Sequence, residues 1–165
     1  MNKHKRIAAA EILRDPVHIL AFGFGAGLFP RAPGTAGTLV AVPIAIGIAM
    51  LGWPWRAAVI VALFLIGIWI CGASARRLGV HDHSGIVFDE IAGYQIALGI
   101  GGFNWASLVA CFILFRLFDI AKPWPIGWLD RRIGGGFGIM VDDALAAIYA
   151  GAAWLLISRW IPLPT

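Results

Sequence analysis

The sequence is short of charge. Only 13% of its 165 residues are Asp, Glu, Lys or Arg, while 60% are hydrophobic, and soluble domains run nearer a quarter charged. Too few polar side chains remain to cover a globule, so an ordinary soluble domain is excluded and much of the exterior is expected to face lipid. Cysteine is also scarce. Cys71 and Cys111 both lie in apolar runs, which leaves no disulfide framework. The opening stretch MNKHKRIAAAEILRDP starts basic but has no long apolar run before Glu11. No secretory signal is therefore expected there, and residues 1–19 read as a cytoplasmic segment. No repeat or low-complexity tract is visible. The formal net charge is +4, but its bases are scattered among acids. That argues against a nucleic-acid partner and makes the charge a topology signal instead, since basic residues stay on the cytoplasmic side.

Four apolar stretches carry the mean hydropathy of +0.83. They run from Leu39 to about Trp53, from Ala57 to Ala75, from Ile91 to Phe118, and from Ala144 to about Ile161. A spanning helix needs roughly 20 apolar residues. The second stretch fits, the third is long enough for two helices joined near Gly101–Asn104, and the first and fourth would span with tilt. The expectation is one all-α domain over 1–165, a membrane-embedded bundle of about five to six helices and five crossings, with a Gly/Pro-rich loop near the N-terminus.

The acids are distributed unevenly. All nine lie before residue 16, in 82–90, or in 119–143. Short tryptophan-bearing breaks at Trp53–Arg56 and Gly101–Trp105 suit the opposite interface. Each apolar hairpin then crosses out and returns, so segments 23–38, 76–90 and 116–143 meet on one face. Their basic residues, Arg31, Arg76, Arg77, Arg116, Lys122, Arg131 and Arg132, mark that face as cytoplasmic.

Each segment has a chemical reading beside a plain one. Residues 23–38, GFGAGLFPRAPGTAGT, form a loop. In the chemical reading Arg31, the hydroxyls of Thr35 and Thr38, and free N–H groups at a helix start cradle an anion. In the plain reading this is a re-entrant turn with Thr38 as a helix cap. It is not a Walker loop, because no Gly-Lys-Ser/Thr follows. Asp89 and Glu90 open an apolar helix; such a pair is costly beside a membrane unless hydrated, paired or metal-bound, and a hard divalent cation suits it. The plain reading is a solvated helix start. His81 and His83 have ligand-like spacing or are interfacial polar residues. Arg116, Asp119 and Lys122 recur every three residues on one helical face, ended by Pro123. The Gly134–Gly138 stretch reads as a flexible loop, after which Asp142 and Asp143 open the last helix as a second acidic pair. The plain reading of this segment is an ion-pair network tying helix ends together. Cys71 to Arg77 matches the Cys-x5-Arg spacing of cysteine phosphatases, but an apolar helix is a poor place for a thiolate.

The strings PRAPGTAGT, HSGIVFDEIAG and FRLFDIAKPWPIGWLDRRIGGGFGIMVDD closely resemble the motifs of the phosphatidylglycerophosphatase A family, in order and spacing, over roughly residues 20–155. The resemblance implies an all-helical, magnesium-dependent lipid phosphatase of the inner membrane. Such an enzyme removes the terminal phosphate of phosphatidylglycerophosphate. By the same resemblance Asp89, Glu90, Asp142 and Asp143 are metal or catalytic carboxylates, and Arg31, Thr38, Arg116, Asp119 and Lys122 border the phosphate. In a working mechanism the carboxylates hold Mg²⁺, Arg31, Arg116 and Lys122 steady the transferring group, and Asp119 is the candidate general base. The competing readings are another phospholipid-headgroup enzyme, such as a transferase, and a small membrane transporter or scaffold.

Overall fold

The computed structural model describes residues 9–80 and 83–160; His81 and residues 1–8 lie outside the described part. Among the described residues the chain is helical, without a strand. Two short helices, α1 (Ala9–Ile12) and α2 (Pro16–Ala21), and a 3-10 segment (Gly23–Leu28) precede α3 (Pro33–Ala49) and α4 (Trp53–Leu78). Then come α5 (Phe88–Gly101), α6 (Trp105–Ala121), the short α7 (Ile126–Arg132) and α8 (Gly135–Ser158). The described residues thus hold more helices than the five to six expected. The additional ones are α1, α2 and α7, none of which carries a long apolar run. Among the described residues two helices, α4 and α8, are long and apolar enough to cross a membrane. At 1.5 Å per residue, the 26 residues of α4 extend about 39 Å.

Three boundaries differ from the sequence expectation. The second half of the Gly/Pro-rich loop is helical from Pro33, not loop. Proline at the first helical position has its φ already set and lacks an N–H that would be unpaired there anyway. Thr38 is consequently not a cap. It lies inside α3, fully buried, with its hydroxyl donating to the Gly34 carbonyl at 2.9 Å. Likewise the Gly134–Gly138 stretch is the first turn of α8 rather than a loop, so Asp142 and Asp143 sit about two turns into the helix. At the other end, the break between α3 and α4 falls at Met50–Gly52, and Trp53–Arg56 is already helix.

Helix α5 is the centre of the bundle and packs against α3, α4, α6 and α8. Small residues set these crossings, letting the helix backbones approach closely. A Cβ on Gly136 of α8 would lie 1.9 Å from the Ile68 carbonyl oxygen of α4, and one on Gly151 would lie 2.7 Å from Ile100. Buried polar groups are paired across helices. Gln95 donates to the Ala41 carbonyl (2.9 Å) and Tyr94 to the Leu108 carbonyl (2.7 Å). Trp154 donates to Ser107 (2.8 Å). His18 meets Ser74 at 2.8 Å, tying α2 to α4. With Asp15 nearby this resembles a hydrolytic triad, yet Ser74 is fully buried and lines neither of the two cavities described below.

The outside is apolar. Val109, Ile113, Leu117 and Ile120 form one exposed face of α6, and Val61, Leu65, Ile66 and Trp69 are bare on α4. Patches of this kind mark surfaces that meet lipid or protein.

Replacing Gly136 by Leu should force α4 and α8 apart, at a cost of about 1–3 kcal/mol typical of overpacking. Gly47, which has open space around its Cβ position, should tolerate Ala or gain about 0.5–1 kcal/mol. Thermal denaturation of both variants in detergent checks the pair. Equal melting temperatures would remove the α4–α8 contact from the account.

Candidate active site

The cavity of interest opens at the end of the bundle where α3, α5 and α8 begin and α4 and α6 finish. It has a volume of about 1070 Å³ and takes lining residues from 32–35, 79–90 and 116–143. These are the three segments expected to share a face.

Local structure places each charge. The start of α5 is pinned by the Val87 N–H, which donates to the Ala21 carbonyl at 2.8 Å. No side chain caps this helix, so Asp89 and Glu90 lie in a first turn whose N–H dipoles favour negative charge. Asp142 and Asp143 are neighbours on α8, about 100° apart around its axis, and therefore diverge. Asp143 joins the α5 pair: one oxygen from each of Asp89, Glu90 and Asp143 falls within 4.8 Å of the other two. Asp142 does not join them, unlike the four-carboxylate group implied by resemblance. It instead pairs with Lys122, whose ammonium also bonds Asp130 at 3.0 Å.

Lys122 ends α6 with a left-handed backbone, φ 41°, a conformation that costs a non-glycine residue energy. Pro123 follows and prevents the helix from continuing. The turn aims the ammonium back across the cavity at the two carboxylates. Burial disfavours its charge, but Asp142 and Asp130 outweigh that and hold Lys122 above its ordinary pKa.

Nearly two turns earlier on α6, Arg116 pairs with Asp119 at 2.6 Å and approaches Glu90 at 3.7 Å. The space for this is made by Gly34 of α3. A Cβ there would lie 2.2 Å from Glu90 Oε1 and 2.8 Å from Arg116 Nη2. The glycine in PRAPGTAGT is therefore a wall of the site.

Buried carboxylate oxygens remain without hydrogen-bond partners among the described residues: Asp89 Oδ1, Glu90 Oε2 and Asp143 Oδ2 in the cluster, and Asp142 Oδ1 beside it. Carboxylates buried this closely together either take up protons or are compensated by a cation. All-oxygen donors at this spacing fit a hard divalent ion such as Mg²⁺, which binds through few carboxylates and leaves positions for water and phosphate.

The remaining expected residues divide. Thr35 lines the cavity, as does His83, whose Nδ1 accepts from the Gly85 N–H at 3.0 Å. Thr38 is buried beneath its wall. Arg31 is exposed and faces a neighbouring groove instead. Cys71 is buried in α4 against Met140 and lies off the cavity. Asp130 and Gly34 escaped the sequence reading, and Arg131, counted there only as a basic residue of this face, also lines the cavity. Asp130 was the one acid of 119–143 not singled out, and its position eight residues past Lys122, beyond two prolines, gave no sign of their contact.

The sequence profile of the family described as phosphatidylglycerophosphatase A matches residues 19–158. A phosphatidylglycerophosphatase A of Escherichia coli is 39% identical over 165 residues, covering 99% of this chain and 96% of the relative. One of Haemophilus influenzae is 43% identical over 151 residues, covering 90% and 93%. No solved structure matches the chain significantly. With a profile match over most of its length and relatives this similar end to end, the chain belongs to the phosphatidylglycerophosphatase A family and is a phosphatase.

Proposed function

We propose that this phosphatase is Mg²⁺-dependent and hydrolyses phosphatidylglycerophosphate to phosphatidylglycerol and phosphate in phospholipid biosynthesis. We further propose that it works in the bacterial inner membrane as a multi-pass protein with the cavity facing the cytoplasm. The observation that carries the reading is the Asp89–Glu90–Asp143 cluster, with its three unpartnered buried oxygens, in a cavity that also holds Arg116 and Lys122. The membrane part rests on the exposed apolar helix faces, and on basic residues concentrated at the cavity end.

In this reading Asp89, Glu90 and Asp143 hold the metal. When bound, Mg²⁺ supplies Lewis-acid neutralisation of phosphoryl charge. Arg116 and Lys122 present fixed positive charge to the equatorial oxygens of the transferring group. Thr35 offers a hydroxyl at the same wall. Asp142 and Asp130 act through Lys122, holding its ammonium in place. Asp119 borders both Arg116 and Asp143 and is positioned to take a proton from the attacking water. A headgroup phosphate lies at the level of such helix ends, so the lipid need not leave the bilayer to reach them.

The carboxylate assignment predicts opposite signs for activity and stability. Asp89→Asn and Asp143→Asn should each lower phosphate release from phosphatidylglycerophosphate by about 100-fold or more. In metal-free buffer they should melt no lower than wild type, because each removes a buried charge from a repelling cluster. Variants that keep full activity would defeat the assignment.

Chelation should abolish phosphate release and added Mg²⁺ restore it. Independently of activity, Mg²⁺ should raise the melting temperature of wild type, by mass action on the folded state, but not that of Asp143→Asn. Cys71→Ser should leave turnover within about twofold. Activity that survives chelation and is lost in Cys71→Ser would favour cysteine chemistry instead.

A further inference from the structure

A second groove lies between the 3-10 segment and the first turns of α3. Its volume is about 530 Å³. Phe24, Phe29 and Leu39 line it and are 66%, 65% and 58% exposed. Arg31 is the cation among its lining residues and has no ion-pair or hydrogen-bond partner among the described residues. Large bare apolar side chains around an unpaired guanidinium are a surface that lacks its complement.

The groove adjoins the carboxylate cavity: Ala32 and Thr35 line both. The φ of 52° at Ala32 turns the chain sharply between Arg31 and the start of α3; Arg31 lines only the groove side of this lip and Gly34 only the cavity side. A ligand whose terminal phosphate lies in the cavity must leave it across such an edge.

The proposed substrate has a matching order of groups. Its terminal phosphomonoester is followed by a three-carbon glycerol bridge, then a phosphodiester anion, then acyl chains. We propose that Arg31 binds the phosphodiester, and that Phe24, Phe29 and Leu39 receive the first part of an acyl chain. The groove would then be the site that distinguishes a lipid from a soluble phosphomonoester. Charge complementarity and the shared edge with the cavity carry this assignment, which rests on the lipid-phosphatase reading above. A guanidinium suits the role because it forms paired hydrogen bonds to phosphate oxygens and remains charged.

The test uses the full chain in detergent micelles, with phosphatidylglycerophosphate and glycerol 3-phosphate as substrates. Arg31→Gln should raise KM for the lipid about tenfold or more, the loss expected for one charge-assisted contact, with kcat within about twofold. The preference for lipid over glycerol 3-phosphate should fall by the same factor. Arg31→Lys should recover part of it, and Phe29→Ser should weaken dependence on acyl-chain length. Retention of phosphatidylglycerol, which keeps the phosphodiester but lacks the monoester, is read separately by native mass spectrometry and should drop in Arg31→Gln. Unchanged lipid KM and unchanged retention in Arg31→Gln, with an active wild type, would overturn the groove assignment alone. A wild type that releases no phosphate from the lipid would overturn the phosphatase reading. Loss of kcat on both substrates alike would place Arg31 in the reaction and overturn the subsite.

Discussion

The structure depends on the cost of gathering buried carboxylates. Asp89, Glu90 and Asp143 come from two helices and are brought within one ion's reach, where mutual repulsion and lost hydration both oppose them. A bundle does not bear this unless neighbouring helices are held firmly. The close α4–α8 contact at Gly72 and Gly136, the burial of α5 among four helices, and the side-chain bonds of Gln95, Tyr94 and Trp154 supply that rigidity. The fold therefore maintains a local arrangement that is unfavourable by itself. That is the general situation of a preorganised electrostatic site.

Around this cluster the charges divide into two sets with different duties. Lys122 is bound by Asp142 and Asp130, and Arg116 by Asp119 and Glu90. Each cation is thus held by carboxylates outside the trio or at its edge. Both the chemical and the plain readings of the third segment are realised together. The ion pairs do tie the ends of α5, α6, α7 and α8, and they also fix positive charge on the cavity wall. Removing one partner would disturb structure and site at once, so the groups act as a unit.

The relation between site and surface follows from where the helices end. Long apolar helices leave their polar atoms only at their termini, because backbone and side-chain polarity is costly in the middle of a bilayer. An enzyme confined to such helices must build its chemistry at one end. In the proposed setting that is the headgroup level, and the neighbouring groove at Arg31 extends the same face outward toward the acyl chains.

Composition and the spacing of apolar runs were enough to give an all-helical chain, five long helices, the convergence of three polar segments, and the residue types of the site. These are one-dimensional properties: a 20-residue apolar run admits few alternatives, and acids excluded from such runs must collect at their ends. Helix starts were misread where glycine and proline dominate, at Pro33 and Gly135, since there the signal for a loop and for a tightly packed helix is the same. Which of two adjacent acids faces the cluster was beyond local reading. Asp142 and Asp143 are equivalent in sequence, and only the rotation of α8 against α5 sends one to the trio and the other to Lys122. The duties of Gly34 and Asp130, and the placement of Arg31 in a separate groove, were likewise decided by packing: Gly34 meets Glu90 and Arg116 from distant helices, Asp130 meets Lys122 only because the chain turns between α6 and α7, and Arg31 is set apart by the turn at Ala32.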